Sequence, residues 1–258
     1  MTTLVGGVGQ LYQGDLDVGR VAVERLSAKG LGPGVVVEDL HYGAVAVAQR
    51  LDELRPSALV LVGAADRGRP PGTVERRWWG GLRVDPEKAQ QAVANAVTGY
   101  VDIDLVLEVA SALGPLPSRT VTVEVEPACI EASETLSDEA TTALDQAVGL
   151  VWAEVRRAPL LDLADRGRDL LAENRLRSSP GLSALHELLS ELQGLERHGT
   201  WGATFLARDR LRGHIARGET SDGMEHLDWV VWWALIEELD RVQALEVRAD
   251  QEGLEGAV

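Results

Sequence analysis

Residues 4–20 read LVGGVGQLYQGDLDVGR, and this stretch decides the fold prediction. Its apolar beginning predicts a buried strand, which is followed by a glycine-rich turn that carries two carboxylates, Asp15 and Asp17. Apolar residues at helical spacing then run from Val18 to Gly30, where glycine is the common helix stop. The stretch therefore predicts one strand–turn–helix unit.

The same alternation continues as far as residue 157. Short apolar or alternating runs predict strands at 4–9, 34–39, 58–66, 71–79 and 119–127. Runs with helical spacing predict helices at 18–30, 43–55, 105–114 and 137–157, the last with Ser137 as N-cap. Such an alternation predicts an α/β fold, a twisted and mainly parallel sheet of about five strands with helices on both faces.

Two of the predicted strands have further expected features. The strand at 71–79 follows its predecessor after a short Pro-Pro-Gly connection, so we expect it to be antiparallel or to lie at a sheet edge. The strand at 119–127 alternates strictly between polar and apolar residues, so we expect one of its faces to be solvated.

The pattern changes after residue 157. Residues 158–258 contain about four runs with helical spacing and no strand pattern. We therefore predict two domains, an α/β domain at 1–157 and an all-helical extension at 158–258. The last run carries three tryptophans, Trp229, Trp232 and Trp233. The extension is either a helical lid packed on the sheet domain or a partner-docking surface with exposed tryptophan anchors.

Composition limits the classes of function. The 258 residues carry a formal net charge of −16, which argues against a nucleic-acid or anionic-membrane partner, because both need clustered Lys and Arg. The single cysteine, Cys129, excludes an intramolecular disulfide and fits a reducing compartment. No signal segment and no apolar run of membrane-spanning length is present. We expect a cytoplasmic protein.

The glycine-rich turn does not predict a nucleotide site. A dinucleotide-binding loop needs its third glycine where the helix begins, and Tyr12 stands there. The carboxylates of Asp15 and Asp17 would also repel a phosphate at the place where it needs backbone N–H groups.

Four motifs, spread in order over about residues 4–150, carry a different resemblance. They are GVGQLYQGDLDVG (7–19), GAADRGRPPGTV (63–74), LGPLP (113–117) and VTVEVEPACIEASETLSDEATTALDQAV (121–148). Together they resemble the nickel–iron hydrogenase maturation proteases. The resemblance implies a sheet sandwiched by helices and an endopeptidase that recognises the nickel-loaded large-subunit precursor and removes its C-terminal extension.

The resemblance also implies three metal-contacting groups, and this chain departs from each. The family has an acid in the first loop, an Asp at the end of the third strand and a His before the helix that ends in LGPLP. The corresponding positions fall on Leu16, Gly63 and a place near Gly99, and no His occurs between 42 and 185. Carboxylate and imidazole ligands suit nickel, whereas Leu and Gly side chains offer no ligand atom.

Two functional interpretations follow from this resemblance. In the first, the protein is a degenerate, non-cleaving relative that binds a hydrogenase large subunit or another maturation factor. It then needs no cofactor of its own, and any nickel belongs to the partner. In the second, it is an active endopeptidase that uses replacement ligands.

The replacement candidates are Asp15, Asp17, His41 and Asp66. Each follows a predicted strand, and the carboxyl ends of parallel strands meet at one sheet edge, so we expect Asp15 or Asp17 to lie near His41. Each also has a plain structural interpretation. Asp15 or Asp17 is a helix cap, His41 a solvated loop residue and Asp66 a turn residue.

The stretch ERRWWGG at 75–81 offers a second possible docking element. It is either an edge strand that binds a peptide or a cation–π cluster packed under the helical extension. The residues concerned are Arg76, Arg77, Trp78 and Trp79.

Overall fold

The computed structural model describes residues 2–80, 86–96, 101–173, 179–219 and 228–255. The chain forms two compact units, Met1–Val155 and Arg156–Val258.

In the described part of the first unit, the strands are β1 (Thr3–Val8), β2 (Val35–Asp39), β3 (Ala58–Ala64), β4 (Val74–Trp78) and β5 (Arg119–Val125). They form one five-stranded sheet in the order β2-β1-β3-β5-β4. All pairings are parallel except that of β4, which joins the edge antiparallel to β5. The predicted mainly parallel sheet is confirmed, and so is the antiparallel edge strand.

Helices cover both faces of this sheet. They are α1 (Val18–Lys29), α2 (Ala44–Leu54), α3 (Pro86–Ala96), α4 (Ile103–Leu113) and α5 (Asp138–Glu173). Alternate residues of β1 and β3 point to opposite faces, where α1 and α5 complete one apolar core and α2, α3 and α4 complete the other. Helix α3 was not predicted from the sequence. The helix predicted to end at 157 continues as α5 through Pro159, because an interior proline can kink a helix without ending it.

The glycines of the first stretch allow α1 to lie close to the sheet. A Cβ atom on Gly19 would lie 2.2 Å from the carbonyl oxygen of Val8, and one on Gly7 would lie 2.4 Å from the carbonyl oxygen of Gly19. These separations are far below van der Waals contact, so only glycine fits at either position. Close packing of helix on strand therefore accounts for these two glycines.

Strand β5 differs from its prediction. All seven of its residues are buried, including the polar side that was expected to face solvent. Thr122 and Glu124 on that side have no solvent exposure. The alternation of polar and apolar residues is real, but the polar side faces arginine side chains.

The described part of the second unit contains helices joined by short loops, and no strand. It contains the last turns of α5, then α6 (Pro180–His198), α7 (Thr204–Ala216) and α8 (Asp228–Glu255). Ser179 caps α6 by accepting a hydrogen bond from the Leu182 amide, and Gly199 ends it with a left-handed backbone. Among the described residues, no helix has both the length and the apolar character that crossing a membrane requires.

The tryptophans of α8 do not share one environment. Trp232 is only 2% exposed and lies in the core of the second unit, so the prediction that it is a surface anchor is wrong. Trp233 is 43% exposed. The backbone of Trp229 belongs to α8, and its side chain lies outside the described residues.

Candidate functional site

A crevice opens at the carboxyl edge of the sheet between β1 and β3. The two strands end at nearly the same height in the sheet, because Val8, the last residue of β1, pairs with Gly63 near the end of β3. The chain leaves β1 for β2 on one side and continues to β3 on the other, which makes this gap the topological switch point of the sheet. Ligands of open α/β sheets bind at such points. A pocket of about 230 Å³ lies here.

The pocket has a mixed lining. Its apolar part includes Leu16, Val101, Ile103 and Ile130, and its polar part consists of Asp66, Arg67, Asp102 and Asp104. Leu16, the first of the three substituted positions, lines the pocket and packs against the core on the α1 side, and its side chain offers no ligand atom. Gly63 is buried in β3, where a Cβ would lie 2.5 Å from the carbonyl oxygen of Val8. Gly99 lies outside the described residues.

A fixed cation is part of the pocket wall. Both terminal nitrogens of Arg67 donate to Asp104, at 2.6 and 2.8 Å, and its Nε and Nη2 reach the two oxygens of Glu124 at 3.1 and 3.0 Å. These hydrogen bonds raise the pKa of the Arg67 guanidinium, so it stays charged at every physiological pH. Two carboxylates that line or adjoin the pocket, those of Asp104 and Glu124, are thereby ion-paired with the same guanidinium.

The arginine–glutamate network beneath this wall was not predicted from the sequence. Glu124 is fully buried and also faces Arg69 at 3.3 Å and Arg77 at 3.4 Å. Burial alone would raise the pKa of Glu126, but hydrogen bonds from Arg69 and from the Arg67 amide outweigh it, so that pKa lies below its usual value. The signal in the sequence was the polar side of β5 together with arginines two residues apart after β3.

Asp15 connects two loops. Its carboxylate has no solvent exposure and accepts four hydrogen bonds, from the amides of Ala128, Cys129 and Ser137 and from the Ser137 hydroxyl, at 2.7–2.9 Å. Burial would raise the pKa of Asp15, yet these bonds outweigh it and hold the pKa below its ordinary value. Ser137 also caps α5, as predicted, by accepting from the Ala140 amide.

The other replacement candidates have separate partners. Asp17 stands at the N-cap of α1 without a capping bond, and Arg20 Nε binds both of its oxygens at 2.9 Å. His41 is 45% exposed, with Nδ1 3.0 Å from Asp39. Asp66 is exposed and accepts from the Gly68 amide at 3.3 Å. Among the described residues, no group of three or more His, Cys, Asp or Glu is placed to hold a metal, and the expected proximity of Asp15 or Asp17 to His41 stays a prediction.

The second docking element lies on β4 and just after it. The Arg76 Nε binds Glu154 at 2.8 Å, and both side chains are largely buried. The Arg77 guanidinium lies 4.8 Å above the ring of Trp79, whose Nε1 donates to Thr122 at 3.0 Å. Trp78 is half-buried. A cation–π contact is therefore present within the first unit.

A doubly wound α/β domain with a crevice at its switch point is the class that this geometry defines. No protein-family model and no curated protein matches the chain. The solved structures it is similar to include hydrogenase maturation endopeptidases, the family that the sequence motifs resemble.

Three of these structures are compared with this chain by sequence identity, coverage and TM-score. For the hydrogenase maturating endopeptidase HybD from Escherichia coli, identity is 21%, coverage is 61% of this chain and 94% of that one, and the TM-score is 0.47. For the [NiFe] hydrogenase maturation protease HycI from Thermococcus kodakarensis, identity is 16%, coverage is 60% of this chain and 92% of that one, and the TM-score is 0.43. For the hydrogenase 2 maturation peptidase from a Thaumarchaeota archaeon, identity is 21%, coverage is 58% of this chain and 95% of that one, and the TM-score is 0.41.

Proposed function

We propose that this protein is a degenerate, non-cleaving relative of the nickel–iron hydrogenase maturation proteases. It acts in the cytoplasm in the maturation or assembly of such a hydrogenase, by binding the large subunit or another maturation factor. Support comes from the four sequence motifs in order. One structural observation carries the non-cleaving part: Leu16 and the Arg67 guanidinium line the switch-point pocket.

This lining disfavours a metal ion for an electrostatic reason. A guanidinium fixed in the wall repels a divalent cation over the short distances within a small pocket. The carboxylates beside this guanidinium, those of Asp104 and Glu124, already form ion pairs with Arg67. A metal that recruited them would leave the Arg67 charge without its partners, which is costly when the group is partly buried.

The active-endopeptidase alternative has less support. It needs Asp15, Asp17, His41 and Asp66 to act together, and each of these side chains makes a different contact. We therefore propose that the protein has no cofactor of its own and that any nickel in the complex is carried by the partner.

Incubation with an unprocessed, nickel-loaded large subunit tests the proposal. Biolayer interferometry measures binding, and intact-mass spectrometry follows the C-terminus of the precursor over time. A maturation endopeptidase known to process that precursor serves as the positive control. We expect a saturable complex whose precursor mass does not change. A shortened precursor, or the absence of any complex, would contradict the proposal.

Titration with Ni²⁺ in a calorimeter gives an independent measurement. We expect no saturable heat from the free protein, because the pocket already contains a cation. Tight one-to-one binding that is lost in His41→Ala or Asp66→Asn would instead support the alternative with replacement ligands.

A further inference from the structure

Strand β2 (Val35–Asp39) forms one lateral edge of the sheet. Among the described strands, only β1 pairs with it. All five residues of β2 are half-buried, whereas every residue of β1, β3 and β5 is buried. An edge strand presents a row of backbone N–H and C=O groups to any strand that comes beside it. The lateral edge of β2 is therefore accessible for strand pairing.

The register of β2 on β1 fixes which backbone groups point outward. The Gly34 carbonyl accepts from the first residue of β1 at 2.9 Å, and the Leu40 amide donates to a carbonyl of β1 at 2.8 Å. In a parallel ladder, the even-numbered residues between them also bond to β1, so the amides and carbonyls of Val35, Val37 and Asp39 point away from the sheet. Outside the strand ladder, no hydrogen bond between described residues involves the amide or carbonyl of Val35 or Val37.

The side chains of β2 favour pairing. Residues 35–37 are three consecutive valines, which suit a strand, whereas β4 at the opposite edge has three charged residues out of five, a common device against edge pairing. The two acids of β2 already have partners in their own chain. Arg50 Nη2 donates to Glu38 at 2.5 Å, and His41 Nδ1 lies 3.0 Å from the Asp39 carboxylate. These acids therefore do not need a basic partner at the edge.

A second copy of this chain complements this edge. A two-fold axis, the commonest symmetry of homo-oligomers, brings two identical edge strands together antiparallel. With the axis at Val37, the outward groups of Val37 meet those of the partner's Val37, and Val35 pairs with the partner's Asp39. Because each such pair exchanges two bonds, this register forms about six backbone hydrogen bonds.

The neighbouring registers are less favourable. With the axis at Val37, Glu38 stands opposite the partner's Val36, so no two acids face each other across the strands. Moving the axis to Glu38 would place two Glu38 side chains directly opposite, and like charges in that arrangement are destabilising. Moving it to Val36 would place Asp39 opposite the partner's Pro33, which has no N–H to donate.

We propose that the protein forms a two-fold symmetric dimer in which the β2 strands of two copies pair antiparallel about Val37 and join the two sheets into one. Because the paired strands run in opposite directions, the carboxyl edges of the two sheets point in opposite directions as well. The two switch-point pockets then open on opposite sides, and each copy offers its own site. The inference concerns assembly and holds whether or not a precursor is cleaved.

Sedimentation velocity of the full-length protein, from low micromolar to near-millimolar concentration, tests the dimer. We expect a reversible monomer–dimer equilibrium with a dissociation constant on the order of 10 μM. Because each copy carries a net charge of −16, added salt should strengthen the association. A monomer at every concentration overturns the proposal. Association that salt weakens indicates an ion-paired surface and overturns it as well.

Val37→Pro removes an outward amide from each copy. It should raise the dissociation constant of the dimer at least about tenfold, while circular dichroism shows an intact fold, because this amide is not part of the β1 ladder. Val36→Pro removes an amide that bonds to β1 and should lower the melting temperature instead. Trp233→Ser, at an exposed aromatic residue of the second unit, should leave the dimer unchanged. Dissociation by Trp233→Ser and not by Val37→Pro overturns the assignment.

Amide hydrogen exchange gives a test that needs no variant. Residue-resolved NMR measures exchange of the wild type at concentrations below and above the dissociation constant. The Val35 and Val37 amides should exchange at least about tenfold more slowly in the dimer, whereas the Val36 and Glu38 amides, which already bond to β1, should keep similar rates. Val37 exchange that does not depend on concentration overturns the proposal even if the protein is dimeric.

Discussion

Asp15→Asn tests whether this buried carboxylate holds two loops together. In the wild type, one carboxylate oxygen accepts from the Ala128 and Cys129 amides and the Ser137 hydroxyl, and the other accepts from the Ser137 amide. An asparagine has one acceptor oxygen and one donating NH₂ group. If its oxygen keeps the three bonds, its NH₂ group points at the Ser137 N–H, and two donors oppose each other without solvent.

The magnitude follows from these bonds. Hydrogen bonds to a charged group contribute about 1.5–3 kcal/mol each, and leaving a buried donor unsatisfied costs about 1–3 kcal/mol. One lost charged bond, with the remaining three weakened to neutral ones, should lower the free energy of unfolding by about 2–4 kcal/mol. Urea denaturation followed by far-UV circular dichroism measures this difference.

A control and a pH series sharpen the test. Asp145→Asn removes a carboxylate that is 85% exposed and paired with Arg25, and it should change the free energy of unfolding by less than about 0.5 kcal/mol. Because the folded pKa of Asp15 is depressed, its contribution is fully present above the unfolded pKa, about 3.9, and is lost as pH falls through the folded pKa. The difference in the free energy of unfolding between wild type and Asp15→Asn should therefore become smaller below about pH 4. A difference in the free energy of unfolding below about 0.5 kcal/mol at pH 7, as small as that of an ordinary surface substitution, would refute the reasoning.

Three further predictions concern the free energy of unfolding, and chemical denaturation measures each of them. Gly19→Ala places a methyl group against the carbonyl oxygens of two strands and should destabilise by about 2 kcal/mol or more, whereas Gly149→Ala, with open space around it in α5, should stabilise by about 0.5–1 kcal/mol. Arg67→Met should cost about 1–3 kcal/mol, less than the usual loss for a broken buried pair, because two other arginines still face Glu124. Trp232→Ala should cost about 3–5 kcal/mol and half-exposed Trp233→Ala less than 1 kcal/mol, and similar losses for both would contradict the described core.

Apart from α3, the order of strands and helices in the first unit was predictable from local periodicity. Each parallel strand and each helix covering it is a short segment with its own apolar pattern, bounded by turn residues such as Gly30. The edge position of β4 also followed from local information, since a short connection after β3 cannot make a parallel crossover. These features need only neighbours in sequence.

The candidate site was less predictable, because its contacts join distant parts of the chain. Glu124 is 57 positions from Arg67, and nothing local shows that the polar side of β5 meets arginines and not water. Asp15 looked like a helix cap or a ligand, and its partner Ser137 is 122 positions away. Trp232 shares its helical run with an exposed neighbour, so composition alone did not show which tryptophan enters the core.

The bond between Asp15 and the segment after β5 has a consequence for the order of folding. All donors to Asp15 belong to residues 128–137, which follow the last strand of the described sheet in sequence. Contacts with such long sequence separation form after the local ones, because closing the intervening loop costs entropy first. During synthesis from the N-terminus, the first loop can therefore reach its native conformation only after about half of the chain, up to Ser137, has been made. The carboxyl edge of the sheet is then among the last parts of the first unit to take its native form.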